Sequence, residues 1–175
     1  LTVDGIKITN VEGESCGTCN IAEALKQSLN TSYYRLMLKL KGGPQAVADA
    51  AHQAGIATSF PGVAHTLSED GKGGPPNNGI VLGQYQTRVF DMASAYATLG
   101  ASGVYHRPHF VQKVVNSDGQ VLFDSSKSDN NGEQRIPKAV ADNATAAMAP
   151  IASYSRGHAL AGDRKSTRLN SSHGI

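Results

Sequence analysis

The sequence predicts a mixed α+β domain with helices dominant in its first half, and three observations predict it. Apolar residues recur at helical spacing between positions 21 and 55 and again over 86–99. The pattern instead alternates on both sides of the turn formed by Asn116, Ser117, Asp118 and Gly119. Finally, 39% hydrophobic and 17% charged residues in a chain of 175 are the proportions of a globular sequence that buries a core, not of a disordered or fibrous one.

Residues 5–9, GIKIT, alternate enough for a short strand. The loop beyond them carries Cys16 and Cys19 and leads to Asn20, a side chain suited to capping the helix that follows. Ala22, Leu25 and Leu29 mark one apolar face, and Tyr33, Leu36, Met37 and Leu40 recur at helical spacing until Gly42, Gly43 and Pro44 stop the run. Between the two sets, the serines, asparagine and threonine of SLNTS compete for backbone hydrogen bonds, so a short turn at 28–31 divides two helices.

Pro44 suits a first helical turn and opens a third helix that ends at Gly55. Residues 60–78, interrupted by prolines and glycines, read as an extended connection and not as a packed element. A helix over 86–99 places Val89, Met92, Ala93, Tyr96 and Leu99 on one stripe and closes at Gly100 and Gly103. HFVQKVV and QVLFD flank NSDG as a hairpin, and residues 137–151 form a last amphipathic helix broken near Pro150.

Composition excludes several functions. A mean hydropathy of -0.29 and the lack of a long apolar run leave no membrane-spanning helix in the chain. The opening residues LTVDGIKITN lack a signal-peptide pattern, so any export signal or anchor is expected elsewhere. The net charge of +2 resides in the last thirteen residues, where Arg164, Lys165 and Arg168 face Asp163 alone, and residues 1–162 balance at 13 basic against 13 acidic. With 6% aromatics and no tryptophan, neither a basic footprint nor a stacking platform for nucleic acid is present.

Metal and nucleotide sites are equally unsupported. Cys16 and Cys19 offer two of the four ligands a closed zinc site needs, which leaves a local disulfide in an oxidising compartment or two free thiols. His52, His65, His106, His109, His158 and His173 contain no metal-binding helical spacing and read as surface histidines. Gly71, Lys72, Gly73 and Gly74 do not complete a phosphate-binding loop, and the adjacent Glu69 and Asp70 are solvated loop carboxylates.

The tail differs in kind. Residues 163–173 have no periodicity and back-translate codon for codon into a sequence that resembles a common short-read sequencing adapter. Residues 163–175 are therefore expected to be non-native, with the natural chain cut at or near Gly162.

One stretch carries chemistry. In IAEALKQSLNTSYYRLM, Ser28 and Asn30 stand at a turn between two amphipathic helices that hold both side chains in one direction. A hydroxyl and an amide two residues apart can relay a proton and orient a substrate amide. Taken alone, the pattern is also that of ordinary helix caps. ALKQSLNTSYYRL, however, resembles the S-x-N motif of penicillin-binding proteins, one of the set S-x-x-K, S-x-N and K-T-G. The run GIVLGQYQTRVFDMASAYATLGASGVYHRPHFVQKVVNSDGQVLF resembles the family's glycine turn, helix and hairpin in that order. The resemblance is to the transpeptidase domain of class A, bifunctional members and covers almost all of residues 1–162.

That resemblance implies an incomplete α+β serine β-lactamase-like transpeptidase fold, mainly its helical subdomain plus a hairpin. It implies a D,D-transpeptidase that attacks stem peptides ending in D-Ala-D-Ala through a serine acyl-enzyme, without metal or cofactor, and is trapped by β-lactam antibiotics. Ser28 is then the proton relay and Asn30 the catalytic residue that also binds the substrate amide. The parent works on the extracytoplasmic face of the bacterial membrane, held by an N-terminal anchor absent here, in a compartment that permits a Cys16–Cys19 disulfide. No S-x-x-K or K-T-G occurs, and Lys165-Ser166-Thr167 lacks the glycine. The nucleophile is expected before Leu1 and K-T-G soon after HALAG, so the chain by itself is expected to be inactive, with apolar surface bared where strands are missing. The competing readings are a monofunctional class B transpeptidase or D,D-carboxypeptidase, and a non-catalytic cell-wall-binding module of the same fold.

Overall fold

The computed structural model describes residues 1–127 and 132–154. The expected boundary at 162 and the tail 163–175 lie outside the described residues. Helix and strand are mixed as predicted, with strands in three antiparallel pairs.

The chain opens with a hairpin, β1 (Thr2–Val3) and β2 (Ile6–Lys7), where a single strand over 5–9 was expected. Asp4 and Gly5 both take positive φ, 49° and 77°, as a two-residue turn between right-twisted strands requires. Helix α1 (Ile21–Lys26) follows, with Asn20 accepting the Glu23 N–H at 2.8 Å as the predicted cap. Helices α2 (Asn30–Lys39) and α3 (Pro44–Ala54) complete the first half.

The face of α2 is displaced from the expected one. Tyr34 and Met37 are buried, the latter 1% exposed, whereas Leu40 lies past the helix end in solvent and Tyr33 is half-buried. Residues 60–78 also differ from expectation, because Leu67 enters the core with Tyr34, Met37, Ala48, Ile56 and Ile80. Irregular backbone reaches the interior here by pairing locally. The Thr66 hydroxyl donates to the Ala57 carbonyl at 2.5 Å and the Ser68 hydroxyl to that of His65 at 3.3 Å.

Helix α4 (Val89–Gly100) stands where predicted but turned over. Asp91, Ser94 and Thr98 are buried, while Val89, Met92 and Tyr96 of the expected apolar stripe face outward. Asp91 is buried because Arg88 pairs with it, and Ser94 packs so closely on Gly55 at the end of α3 that a Cβ there would lie 2.8 Å from its hydroxyl. Strand β3 (Val104–Tyr105) pairs with β6 (Glu133–Gln134), a partner the sequence did not signal. The expected hairpin is β4 (Lys113–Val115) with β5 (Val121–Asp124), and α5 (Lys138–Met148) gives way at Pro150 to the single turn α6 (Ile151–Tyr154).

Candidate active-site turn

The junction between α1 and α2 is built by backbone geometry. Gln27 ends α1, the Ser28 N–H donates to the Leu25 carbonyl at 2.9 Å, and the Leu29 N–H reaches back to Ala24 at 3.0 Å. These two bonds close a helix end that needs a left-handed residue at position 28, a place glycine usually fills. Ser28 occupies it with φ of 56°. Leu29 then drops into the interior, 2% exposed, and Asn30 begins α2. The predicted turn is therefore present but shorter than 28–31, with Asn30 already helical.

Leu29 anchors the turn while the residues beside it remain accessible. Ser28 is exposed, and among the described residues its hydroxyl has no hydrogen-bond partner. Asn30 is half-buried and donates through Nδ2 to the Thr9 carbonyl at 3.1 Å. The structure thus places both predicted site residues on one tight turn, a free hydroxyl beside a fixed amide.

Neighbouring contacts stiffen that turn. Tyr33 donates its hydroxyl to the Ile21 carbonyl at 3.2 Å, tying α2 to the start of α1. Glu23 receives Lys26 at 2.8 Å and Gln27 Nε2 at 2.7 Å, and these hydrogen bonds, that of Lys26 foremost, hold its carboxyl below the ordinary carboxylate range. On the far side of the turn, the Thr31 N–H donates to Asn10 Oδ1 at 2.9 Å. Sequence reasoning missed Thr9 and Asn10. The available signal was Leu29, which stands at the N-cap of α2 and has no side-chain oxygen, so a helix starting there needs its acceptor from elsewhere.

Cys16 and Cys19 are joined as a disulfide, with Cα atoms 5.8 Å apart, which resolves the two readings their spacing left open. Their loop runs from Asn10, beside α2, to Asn20, the cap of α1.

A cavity of about 510 Å³ lies elsewhere, lined from α3, α4 and the β3–β6 pair, and no lining residue comes from the α1–α2 turn. Arg88, Asp91 and Arg135 of its lining are paired within the protein. The buried Asp91 takes Arg88 through two nitrogens, at 2.7 and 2.9 Å. Arg135 lies 3.5 Å over the Tyr105 ring and pairs with Glu133 at 2.7 Å, and His52 Nδ1 sits 2.9 Å from the Ile56 carbonyl. Among the described residues no three histidine, cysteine, aspartate or glutamate side chains gather as metal ligands.

A family model described as penicillin binding protein transpeptidase domain matches residues 3–170. The chain is 87% identical over 166 residues to penicillin-binding protein 1A of Mycobacterium tuberculosis (strain ATCC 25618 / H37Rv), covering 95% of this chain and 20% of that protein. It is 79% identical over 166 residues to penicillin-binding protein 1A of Mycolicibacterium smegmatis, covering 95% and 21%. Its structure is similar to that of the penicillin-binding protein PonA1 from Mycobacterium tuberculosis, with a TM-score of 0.88 at 87% identity over 94% of this chain and 43% of the other. PonA1 in complex with penicillin V gives a TM-score of 0.86 at 86% identity, over 93% and 42%. This chain thus spans about a fifth of the length of the curated relatives it matches.

Proposed function

This chain belongs to the penicillin binding protein transpeptidase domain family, and from that premise we propose that it forms one wall of the active site of a class A D,D-transpeptidase. The whole enzyme cross-links peptidoglycan stem peptides ending in D-Ala-D-Ala on the extracytoplasmic face of the bacterial membrane, and β-lactams acylate the same nucleophile. That nucleophile lies outside this chain, in an S-x-x-K segment; K-T-G likewise lies outside it. In the acylation step the serine oxygen attacks the carbonyl carbon of the penultimate D-Ala, and Ser28 passes the serine proton on to the nitrogen of the departing D-Ala. Asn30 holds the substrate amide in line.

The observation that carries this reading is Ser28 itself. Left-handed backbone at a serine costs about 1–2 kcal/mol and persists where the surroundings over-determine it. Here it holds an exposed hydroxyl that no described residue engages. The similarity to PonA1, whose complex holds penicillin V, supports β-lactam recognition.

The test is covalent labelling of the full-length protein with a fluorescent penicillin, together with cross-linking of a stem peptide ending in D-Ala-D-Ala. Ser28→Ala is expected to slow the reaction about a hundredfold, as removal of a positioned proton-transfer group does, and Asn30→Ala about a hundredfold through misplacement of the substrate amide. Labelling and cross-linking at wild-type rates in either variant would sink the S-x-N assignment. The chain of 175 residues alone is expected to take up no covalent label.

A further inference from the structure

Resting on the S-x-N reading above, we infer that Asn10 is a positioning residue for the active-site turn, capping α2 from outside the helix. Helix α2 begins after Leu29, whose side chain is buried and cannot accept a hydrogen bond. The Ser32 and Tyr33 N–H groups share the Leu29 carbonyl at 3.2 and 3.3 Å, but Thr31 finds its acceptor 21 residues away, in Asn10 Oδ1 at 2.9 Å. A capping side chain ordinarily precedes its helix directly; here the same bond is supplied across the fold.

The contact is one half of a clamp. Consecutive residues Thr9 and Asn10 hold consecutive residues Asn30 and Thr31: the Thr9 carbonyl takes the Asn30 amide at 3.1 Å while Asn10 takes the Thr31 N–H. Asn10 is itself oriented, because its Nδ2 donates to the Glu14 carbonyl at 2.7 Å. The segment leading to Thr9 is fixed by the Ile8 N–H on the Leu1 carbonyl at 2.7 Å. Without the Asn10 bond the first turn of α2 loses an anchor on the residue next to Asn30. The strained Ser28 then loses part of the surroundings that over-determine it. A binding constellation tolerates displacement of only about 0.5 Å, so a loosened turn weakens catalysis before it unfolds the domain.

The test follows acylation of the full-length protein by a fluorescent penicillin, resolved into the dissociation constant of the first complex and the acylation rate constant. Asn10→Ala is expected to lower the rate constant about tenfold, with the dissociation constant changed less, since the geometry of the reacting groups is what the clamp sets. Asn10→Asp keeps the acceptor for Thr31 and adds a charge favourable at a helix N-terminus but loses the donor to the Glu14 carbonyl, so it should recover part of the rate. If Asn10→Ala does not fold, Asn10→Ser, too short to reach Thr31, takes its place with the same expected loss. A wild-type rate in Asn10→Ala, or the same loss in Asn10→Asp, would overturn the inference. Asn30→Ala separates the two readings: a wild-type rate there removes the S-x-N assignment, whereas a slow Asn30→Ala beside a normal Asn10→Ala removes only the role of Asn10.

Discussion

Serine stands at two helix ends where the backbone turns left-handed, Ser28 after α1 with φ of 56° and Ser102 after α4 with φ of 55°. Both close the same pair of backbone bonds, since the Ser102 N–H meets Leu99 at 3.1 Å and the Gly103 N–H meets Thr98 at 2.8 Å. Their side chains diverge. Ser102 donates to Asp142 at 2.7 Å and accepts from Lys138 at 3.3 Å, joining α4 to α5, whereas the Ser28 hydroxyl is presented to solvent. Glycine at position 28 would satisfy the backbone and remove the hydroxyl. Ser28→Gly in the full-length protein should therefore keep its stability within about 1 kcal/mol of wild type, the relieved strain offsetting glycine's greater unfolded-state entropy, while losing transpeptidation. Calorimetry and cross-linking on one preparation check both halves, and a large loss of stability would show that the hydroxyl is structural. Asp142 gives a prediction in pH. The Lys138 hydrogen bond, and then that of Ser102, holds its carboxyl below the ordinary range. A carboxyl depressed in the folded state adds stability above its unfolded value near pH 4 and loses it as pH falls through the folded value. Denaturation of the full-length protein at pH 6 and pH 3 should show a larger loss in wild type than in Asp142→Asn; equal losses would assign the acid sensitivity to other groups.

Elements join closely where α4 ends. Gly103 has φ of +87°, and a Cβ there would lie 2.0 Å from the Ile136 carbonyl oxygen, so strain and collision act together. Gly119, in the turn between β4 and β5, has φ of +79° but open space around it. Gly103→Ala should cost more than about 2 kcal/mol and Gly119→Ala only about 1 kcal/mol, by denaturant unfolding of the full-length protein. Comparable losses would mean that the backbone conformation alone matters. Glycines, prolines and capping residues are also where the sequence was most readable. Asn20, Pro44, Gly55 and the NSDG turn act through local backbone physics and mark their elements correctly. The place of the turn was legible in SLNTS, although Leu29 and not a polar residue stands at the N-cap of α2, and the S-x-N reading rested on the resemblance. The facing of α4 was not legible, because periodicity identifies an apolar stripe without saying which neighbour it meets. Leu67 gave no signal because a core residue on irregular backbone has no period, and the clamp of Thr9 and Asn10 depends on contacts 21 residues apart.

At the scale of the molecule, these apolar exposures form a pattern. Val89 and Phe110 are each 87% exposed and Leu122 65%, while Met92 and Tyr96 extend the bare side of α4. The β4–β5 hairpin shows solvent to Val114, Val115, Val121 and Phe123 as well, so apolar side chains point outward from both its faces. A hairpin of this size is marginal unless it packs on something, and soluble monomers rarely bare so much apolar surface. The chain covers 43% of the PonA1 structure, which leaves more than half of that protein to supply covering elements. If such elements cover α4 and the hairpin in the full-length protein, the isolated chain of 175 residues should bind a hydrophobic fluorescent dye strongly and melt over a broad range, or aggregate. The full-length protein should bind little dye and unfold sharply. A sharp, monomeric transition of the isolated chain without dye binding would mean that this face is stable in water. The outward stripe of α4 would then need a different explanation.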